Sequence, residues 1–250
     1  MQKHPSPYPS VLILGALSDV ALAMAELYAS RGYRLLLAAR QSERLERIVS
    51  DLRLRFNAEV KALEFDARQY DSHQEFVDSL PELPDVAIVA FGYLGDQEKA
   101  LHHFPEALRI IESNYTGAVS ILNRLYLRMA ERGHGTLAAI ASVAGLRGRM
   151  SNFHYGSAKA GLIAYLSGLR NLAYHHGVHV ITLIPGFMRT RMIAHMKTPG
   201  FLTLSPSKAA HLMTRAIQKR RNVAYIGPLW WLIMCIIRTI PESIFKKLKL

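Results

Sequence analysis

Cysteine is almost absent from this 250-residue chain: Cys235 stands alone. No internal disulfide can form, and a reducing compartment is the simpler setting. Acidic residues are also scarce, 19 against 31 Lys and Arg, which leaves a formal net charge of +12. That excess calls for an anionic counterpart such as nucleic acid, anionic lipid or a phosphorylated ligand. The basic residues are scattered, with local excess only at Lys219-Arg220-Arg221 and Lys246-Lys247-Leu248-Lys249. No nucleic-acid motif or aromatic–basic interleaving accompanies them, so no nucleic-acid partner is expected. The eleven histidines lack zinc or iron spacing, and His175 and His179 are separated by Gly177 with no carboxylate at hand. No metal is expected. Residues 1–5 carry no apolar signal-peptide core, and Leu229–Ile237 is too short to span a bilayer, which needs about 20 apolar residues. The expected location is cytoplasmic.

What is present is a large apolar half, 50% of all residues, distributed in alternating short and long patterns. After a loose lead over residues 1–9, buried strands are predicted over 10–15, 34–39, 60–65, 85–90, 136–141, 178–183 and 223–226. Helices are predicted over 19–30, 43–56 behind a Ser42 cap, 71–80, 104–132, 153–175, and 206–219 behind a Ser205 cap. Strands alternating with helices imply one α/β domain over residues 1–250: three layers, with a seven-stranded parallel sheet covered by helices on both faces. In such sheets ligands bind beyond the carboxyl ends of the strands. Gly15, Arg40, Asp66, Gly92, Ser142 and Pro185-Gly186 all fall at those ends.

The stretch from Ser142 to Lys159 places a hydroxyl, a phenol (Tyr155) and an amine together. Tyr155 and Lys159 are four residues apart, so a helix stacks them on one face, about 5–6 Å between Cβ atoms. A lysine cation beside a phenol favours the phenolate, so a lowered Tyr155 pKa is expected. Ser142 is placed to hold a carbonyl oxygen beside it. The spacing alone also occurs in helices without chemistry.

Several motifs in order carry a resemblance. Ser142, Tyr155-x-x-x-Lys159, Asn114 in Ser113-Asn-Tyr-Thr-Gly117, Pro185-Gly-Phe-Met-Arg-Thr190 and Asp66 together resemble the short-chain dehydrogenases/reductases, from about residue 10 to the C-terminus. The resemblance implies a Rossmann fold and hydride transfer between a nicotinamide dinucleotide and a carbonyl. It implies Tyr155 as proton donor, Ser142 on the carbonyl oxygen, Lys159 on the nicotinamide ribose, and Asn114 positioning a water. Cofactor contacts are implied for Gly15, Leu17, Ser18, Asp19, Val20, Arg40, Asp66, Ala67, Ala90, Phe91, Gly92, Tyr155, Lys159, Pro185, Gly186, Met188 and Thr190. A homodimer or homotetramer is also implied. The glycine loop departs from the family's Gly-x-x-x-Gly-x-Gly, with Asp19 and Ala21 at its second and third glycines. A carboxylate at Asp19 opposes a pyrophosphate unless it points away or caps the helix. Ala39 stands where a carboxylate would select NAD(H), and Arg40 follows it, which favours NADP(H). NAD(H) is the alternative, since Arg40 also reads as an ordinary surface arginine.

A narrower similarity is to the reductases of polyprenyl-phosphoryl 2-ketopentoses, carried by segments 85–96, 114–120, 152–157, 189–192 and 238–247. It implies a lipid-linked ketosugar of the cell envelope, NADH as the described reductant, and a partner oxidase completing a two-step epimerisation. Arg147, Arg149, His154, Arg189 and Arg191 flank the expected site as candidate substrate contacts, the arginines for a phosphate. The tail over 228–250, with paired tryptophans followed by basic residues, suits a peripheral segment on anionic lipid. It equally suits a helix packed on the core or on a dimer partner. A reductase of a small soluble or acyl ketone, and a non-catalytic nucleotide-binding regulator on the same fold, are the other open readings.

Overall fold

The computed structural model describes residues 9–194, 196 and 198–248. Residues 1–8 of the lead and Lys249 of the basic cluster lie outside it. Seven parallel strands form one sheet: β1 (Ser10–Leu14), β2 (Arg34–Ala39), β3 (Val60–Glu64), β4 (Val86–Val89), β5 (Gly135–Ile140), β6 (Val178–Pro185) and β7 (Val223–Ile226). Their order is 3-2-1-4-5-6-7, all parallel. The order reverses between β1 and β4, so a crevice opens at that edge's carboxyl end.

Alternation along each strand decides which helices cover which face. Val11 and Ile13 of β1 join Leu35, Leu37 and Ile181 in the core under α1 (Asp19–Ala29), α2 (Glu46–Phe56) and α8 (Pro206–Gln218). Leu12 and Leu14 point the other way, into the core built with α6 (Gly117–Arg132) and α7 (Phe153–Tyr174). The central strands are buried on both faces, which is why they read as apolar runs rather than alternating ones, while the edge strand β3 exposes Lys61 and Glu64.

Several elements differ from the sequence reading. The 104–132 helix is three pieces: α5 (Phe104–Ile111), a π-helical turn over Glu112–Thr116, and α6. Asn114 lies in that turn and donates from Nδ2 to Ile110 O (2.8 Å) and Tyr93 O (2.6 Å). The side chain thus takes up a carbonyl at the bulge, where one extra residue disturbs the backbone ladder. Ser42 is not a helix cap. Gln41 turns left-handed (φ 57°), and the N–H groups of Gln41 and Ser42 donate to Glu64 at the end of β3 (2.9 and 2.7 Å). A 3₁₀ turn over Ser42–Leu45 follows, and α2 begins only at Glu46. The 71–80 helix shortens to α3 (His73–Asp78) behind a turn at Tyr70–Ser72. A short α4 (Gln97–His102), capped by Asp96, was not legible in the sequence. Ser205 does cap α8, accepting from Lys208 N.

The tail forms α9 (Trp230–Thr239) and α10 (Glu242–Phe245). Its paired tryptophans divide: Trp230 is buried with Met234 against Ala141, Val143 and Ile184, while Trp231 is 61% exposed. A Cβ at Gly186 would lie 1.9 Å from the Trp230 ring, so only glycine lets the end of β6 pass under that indole. Among the described residues no helix is long and apolar enough to cross a membrane.

Candidate active site

Two cavities meet at the carboxyl edge of β1, β4 and β5. The first, about 390 Å³, is floored by Ser142, Tyr155 and Lys159 and walled mostly by apolar side chains. The second, about 700 Å³, runs from Gly15 past Arg40 to Asp66 and Ala67. Ser18, Ala90, Phe91, Gly92 and Met192 line both, so the two are halves of one cleft.

Ser142 ends β5 in extended conformation and caps the 3₁₀ turn after it, its Oγ accepting from Ala144 N at 3.1 Å. Tyr155 and Lys159 lie one turn apart on α7, as their spacing predicts, with the ammonium 5.7 Å from the phenol ring centroid. Lys159 is 3% exposed and donates to Ile140 O at 2.9 Å. The expected lowering of Tyr155 is not found. Burial pushes its phenol up to about 12, against a smaller opposing effect of the Ser142 hydrogen bond. Burial also brings the Lys159 amine down to about 8. The dry surroundings outweigh the neighbouring cation, because each charged form loses more solvation than the other group returns.

Asn114 does not line either cavity. It lies behind Gly92: a Cβ there would meet Asn114 Oδ1 at 2.9 Å and Lys159 Nζ at 3.6 Å. Its amide is committed to the Tyr93 and Ile110 backbones, with Oδ1 accepting from Tyr93 N at 3.3 Å. Both amide protons are thereby taken up by backbone carbonyls.

At the glycine loop, Gly15 adopts φ +87°, and a Cβ would approach the Phe91 backbone to 2.6 Å. That first glycine is obligatory here, while Ala21, in place of the third, is fully buried where α1 meets the sheet. Ser18 caps α1, accepting from Ala21 N at 3.2 Å. Asp19 neither caps nor stands free. Its carboxylate takes Arg191 N at 2.7 Å and Arg191 Nε at 2.8 Å, and the same guanidinium reaches Leu17 O. The charge that opposed a pyrophosphate is thereby matched by an arginine 172 residues away. Val20, Pro185, Gly186, Met188 and Thr190 line the first cavity, and Leu17 the second.

At the far end, Arg40 is exposed with no ion-pair partner among the described residues, and Arg44 reaches Gln41 Oε1 at 3.4 Å. Glu64 lines that cavity too; partial burial works to raise its pKa, but the N–H groups of Ser42 and Gln41 hold it below its usual value. His73, fully buried, donates from Nε2 to Asp66 O (3.0 Å) and pairs through Nδ1 with Ser120 Oγ (2.9 Å), which fixes the Asp66 turn.

The arginine group expected around the substrate does not assemble. Arg147 pairs with Glu242 at 2.6 Å and lies 4.2 Å over the Phe245 ring, tying the tail to the loop after Ser142. Arg191 is held by Asp19. Arg189 is exposed and outside the cavities, and His154 faces Gln97 through Nδ1 at 2.8 Å. Only Arg149 lines the first cavity from the predicted substrate set besides Arg191. The sequence reading missed Leu94, Asn152, Phe187, Met192, Ile193 and Met196, which come from loops without periodic patterning. Among the described residues no group of three or more metal-ligating side chains occurs.

A doubly wound parallel sheet with a serine, tyrosine and lysine at its switch point defines an α/β oxidoreductase of the nucleotide-binding kind. The chain belongs to the short-chain dehydrogenase family, whose model matches residues 9–199. It is 35% identical over 248 residues to an uncharacterized oxidoreductase encoded in the mprA 5′ region of Streptomyces coelicolor, covering 97% of this chain and 96% of the relative. It is 33% identical over 241 residues to an uncharacterized oxidoreductase of Mycobacterium tuberculosis, covering 95% and 96%. In fold it matches a short-chain dehydrogenase of Sphingobium yanoikuyae solved with NADPH (TM-score 0.80, 21% identity, 94% and 97% covered). It matches one from Burkholderia cenocepacia solved with NADP equally well (TM-score 0.81, 18% identity, 96% and 97% covered).

Proposed function

We propose that the chain is an NADP(H)-dependent reductase that converts a carbonyl to an alcohol, with Tyr155 as proton donor. The observation that carries this is the Tyr155–Lys159 pair, half-buried phenol and fully buried amine, beside Ser142 at the floor of an apolar-walled cavity. The residues present fit a nicotinamide dinucleotide: Gly15 admits close approach to the backbone, the capped start of α1 offers N–H donors, and Asp19 is neutralised. When bound, that cofactor supplies the hydride. Arg40, with no carboxylate pairing it, and Arg44 would hold a 2′-phosphate.

The chain's own groups account for the proton. Tyr155 keeps its proton throughout the physiological range, which suits donation to a reduced carbonyl oxygen. Ser142 accepts from Ala144 N and so keeps its own O–H for that oxygen. Lys159, protonated below about pH 8, offsets the phenolate that remains and would hold the ribose. Asn114 acts as a positioning residue that fixes the Gly92–Tyr93 turn against Lys159.

The finer reading, a ketosugar linked to polyprenyl phosphate, draws support from the cavity's apolar walls and from α9, whose outer face exposes Trp231, Leu232 and Ile236 near Arg238, Lys246 and Lys247. Those features suit a peripheral position on anionic lipid. The four-arginine phosphate site behind that reading is reduced to Arg149. A homo-oligomer and a partner oxidase rest on the resemblance. Fluorescence titration with NADPH and NADH, followed by NADPH oxidation with small ketones and a lipid-linked ketosugar, tests the whole. The proposal expects tighter NADPH binding and turnover of a carbonyl; a chain that binds neither nucleotide would overturn it.

A further inference from the structure

Two polar atoms on residues that line the first cavity are left without partners. Arg149 Nε and Asn152 Oδ1 are both shut off from solvent and bonded to nothing. Among the described residues the Arg149 guanidinium makes its hydrogen bond to the Met234 thioether, 3.5 Å from Nη2, and sulfur is a weak acceptor. Among the described residues no carboxylate pairs with Arg149, whereas its neighbour Arg147 has Glu242. A half-buried guanidinium without a counter-charge is costly, and so is an unpaired carboxamide. Folds rarely retain such groups together unless something else completes them. Both lie on the loop that links Ser142 to Tyr155, and both line the cavity that those two residues floor. The other cations of that cavity are committed, Lys159 to Ile140 O beside the reacting end and Arg191 to Asp19, and its walls include Leu94, Phe187, Met192, Ile193 and Met196.

We infer that Arg149 and Asn152 form a specificity subsite for an anionic oxygen group, a carboxylate or a phosphate, on a substrate whose body is apolar and whose carbonyl sits at Ser142 and Tyr155. This rests on the reductase reading and deepens it. Arg149 supplies charge-assisted donors to the anion, and the Asn152 carboxamide, which can present either its oxygen or its nitrogen, flanks it. Three methionines at positions 188, 192 and 196 let the apolar wall conform to different chain lengths. The tail takes part, because Met234 of α9 abuts the guanidinium from behind and Arg147 anchors α10 next to it. Burial alone already draws the Arg149 guanidinium below its usual pKa, as for a charge awaiting its partner.

The test uses the whole chain with NADPH and a series of oxodecanoates with the ketone at successive positions, alongside their methyl esters and an oxoalkyl phosphate. The wild type should favour the acids over the esters by about 10- to 100-fold in kcat/KM for at least one ketone position, the equivalent of one charge-assisted hydrogen bond. Arg149→Met should bring that ratio to about one, and Arg149→Lys should restore part of it. The oxoalkyl phosphate outpacing or trailing the acid tells which anion the subsite takes. Because Arg149→Met removes an unpaired charge, its melting temperature should equal or exceed the wild type's; a clear fall would show a structural arginine and overturn the proposal. If no compound is turned over, thermal shift with decanoate against decanol separates the two ideas. A shift by decanoate that Arg149→Met abolishes keeps the subsite and removes the reductase reading, while no shift removes the subsite. Equal kcat/KM for acids and esters in the wild type also overturns it.

Discussion

Two regions of the cleft handle charge in opposite ways. Around Ser142, Tyr155 and Lys159 the groups are dry and carry no counter-charges, so burial sets their titration: the phenol is pushed up to about 12 and the amine down to about 8. Around Ser18 and Asp19 the charges are matched within the chain, with Arg191 spanning from the loop after β6 to the start of α1. A reacting group gains from an unfulfilled environment, because its protonation state then responds to what binds. A cofactor-holding loop gains from a fulfilled one, because an uncompensated carboxylate there would repel a pyrophosphate. The comparison explains how a loop that lost two family glycines can still serve a nucleotide.

The sharpest way to break that contrast is at the dry region. Tyr155→Phe should lower kcat by about a hundred- to ten-thousand-fold, the range for removing a general acid, with the NADPH dissociation constant little changed. Steady-state kinetics with fluorescence titration reads both. An equal loss in nucleotide affinity would mean that the phenol serves binding rather than chemistry.

Lys159 offers a stability test of the same region. Folded, it releases its proton near pH 8; unfolded, near 10.5. Between those values the unfolded chain binds more protons, so stability should climb as pH rises through the window. The full climb amounts to roughly 3 kcal/mol. Urea unfolding at pH 7.5 and about pH 10 should show it in the wild type and not in Lys159→Met. A flat wild-type profile would mean the amine is solvated.

How much of this was legible beforehand follows from the distances involved along the chain. Ser142, Tyr155 and Lys159 are fixed by one strand end and one helix, so their spacing announced their meeting. The strands were legible because burial on both faces leaves uninterrupted apolar runs, and β2 and β7 fall on the predicted residues. The Asp19–Arg191 pair and the Arg147–Glu242 pair were not legible, since each joins segments far apart in sequence. The π-helical turn at Asn114 escaped because periodicity on both sides of it is helical. The titration of Tyr155 was misread because spacing shows a neighbouring cation and not the loss of solvent.

The cofactor side yields smaller effects. Arg40→Ala should weaken NADPH binding about 10- to 100-fold while leaving NADH affinity nearly constant, if the guanidinium meets a 2′-phosphate. Titration with both nucleotides checks this, and a parallel fall in both would make Arg40 a general surface contact. Arg191→Met should weaken NADPH binding by about fivefold by unmasking Asp19, and Asp19→Asn in the same chain should return most of it. A double-mutant cycle on NADPH affinity reads the coupling; strictly additive losses would separate the two residues.

The account as a whole is tested most directly by isotope tracing with the wild-type chain, using NADPH deuterated at the transferable position and the oxodecanoate series. The account predicts deuterium on the carbinol carbon of the product alcohol, formed in step with NADPH consumption. NADPH bound with no label transferred to any carbonyl compound would contradict it.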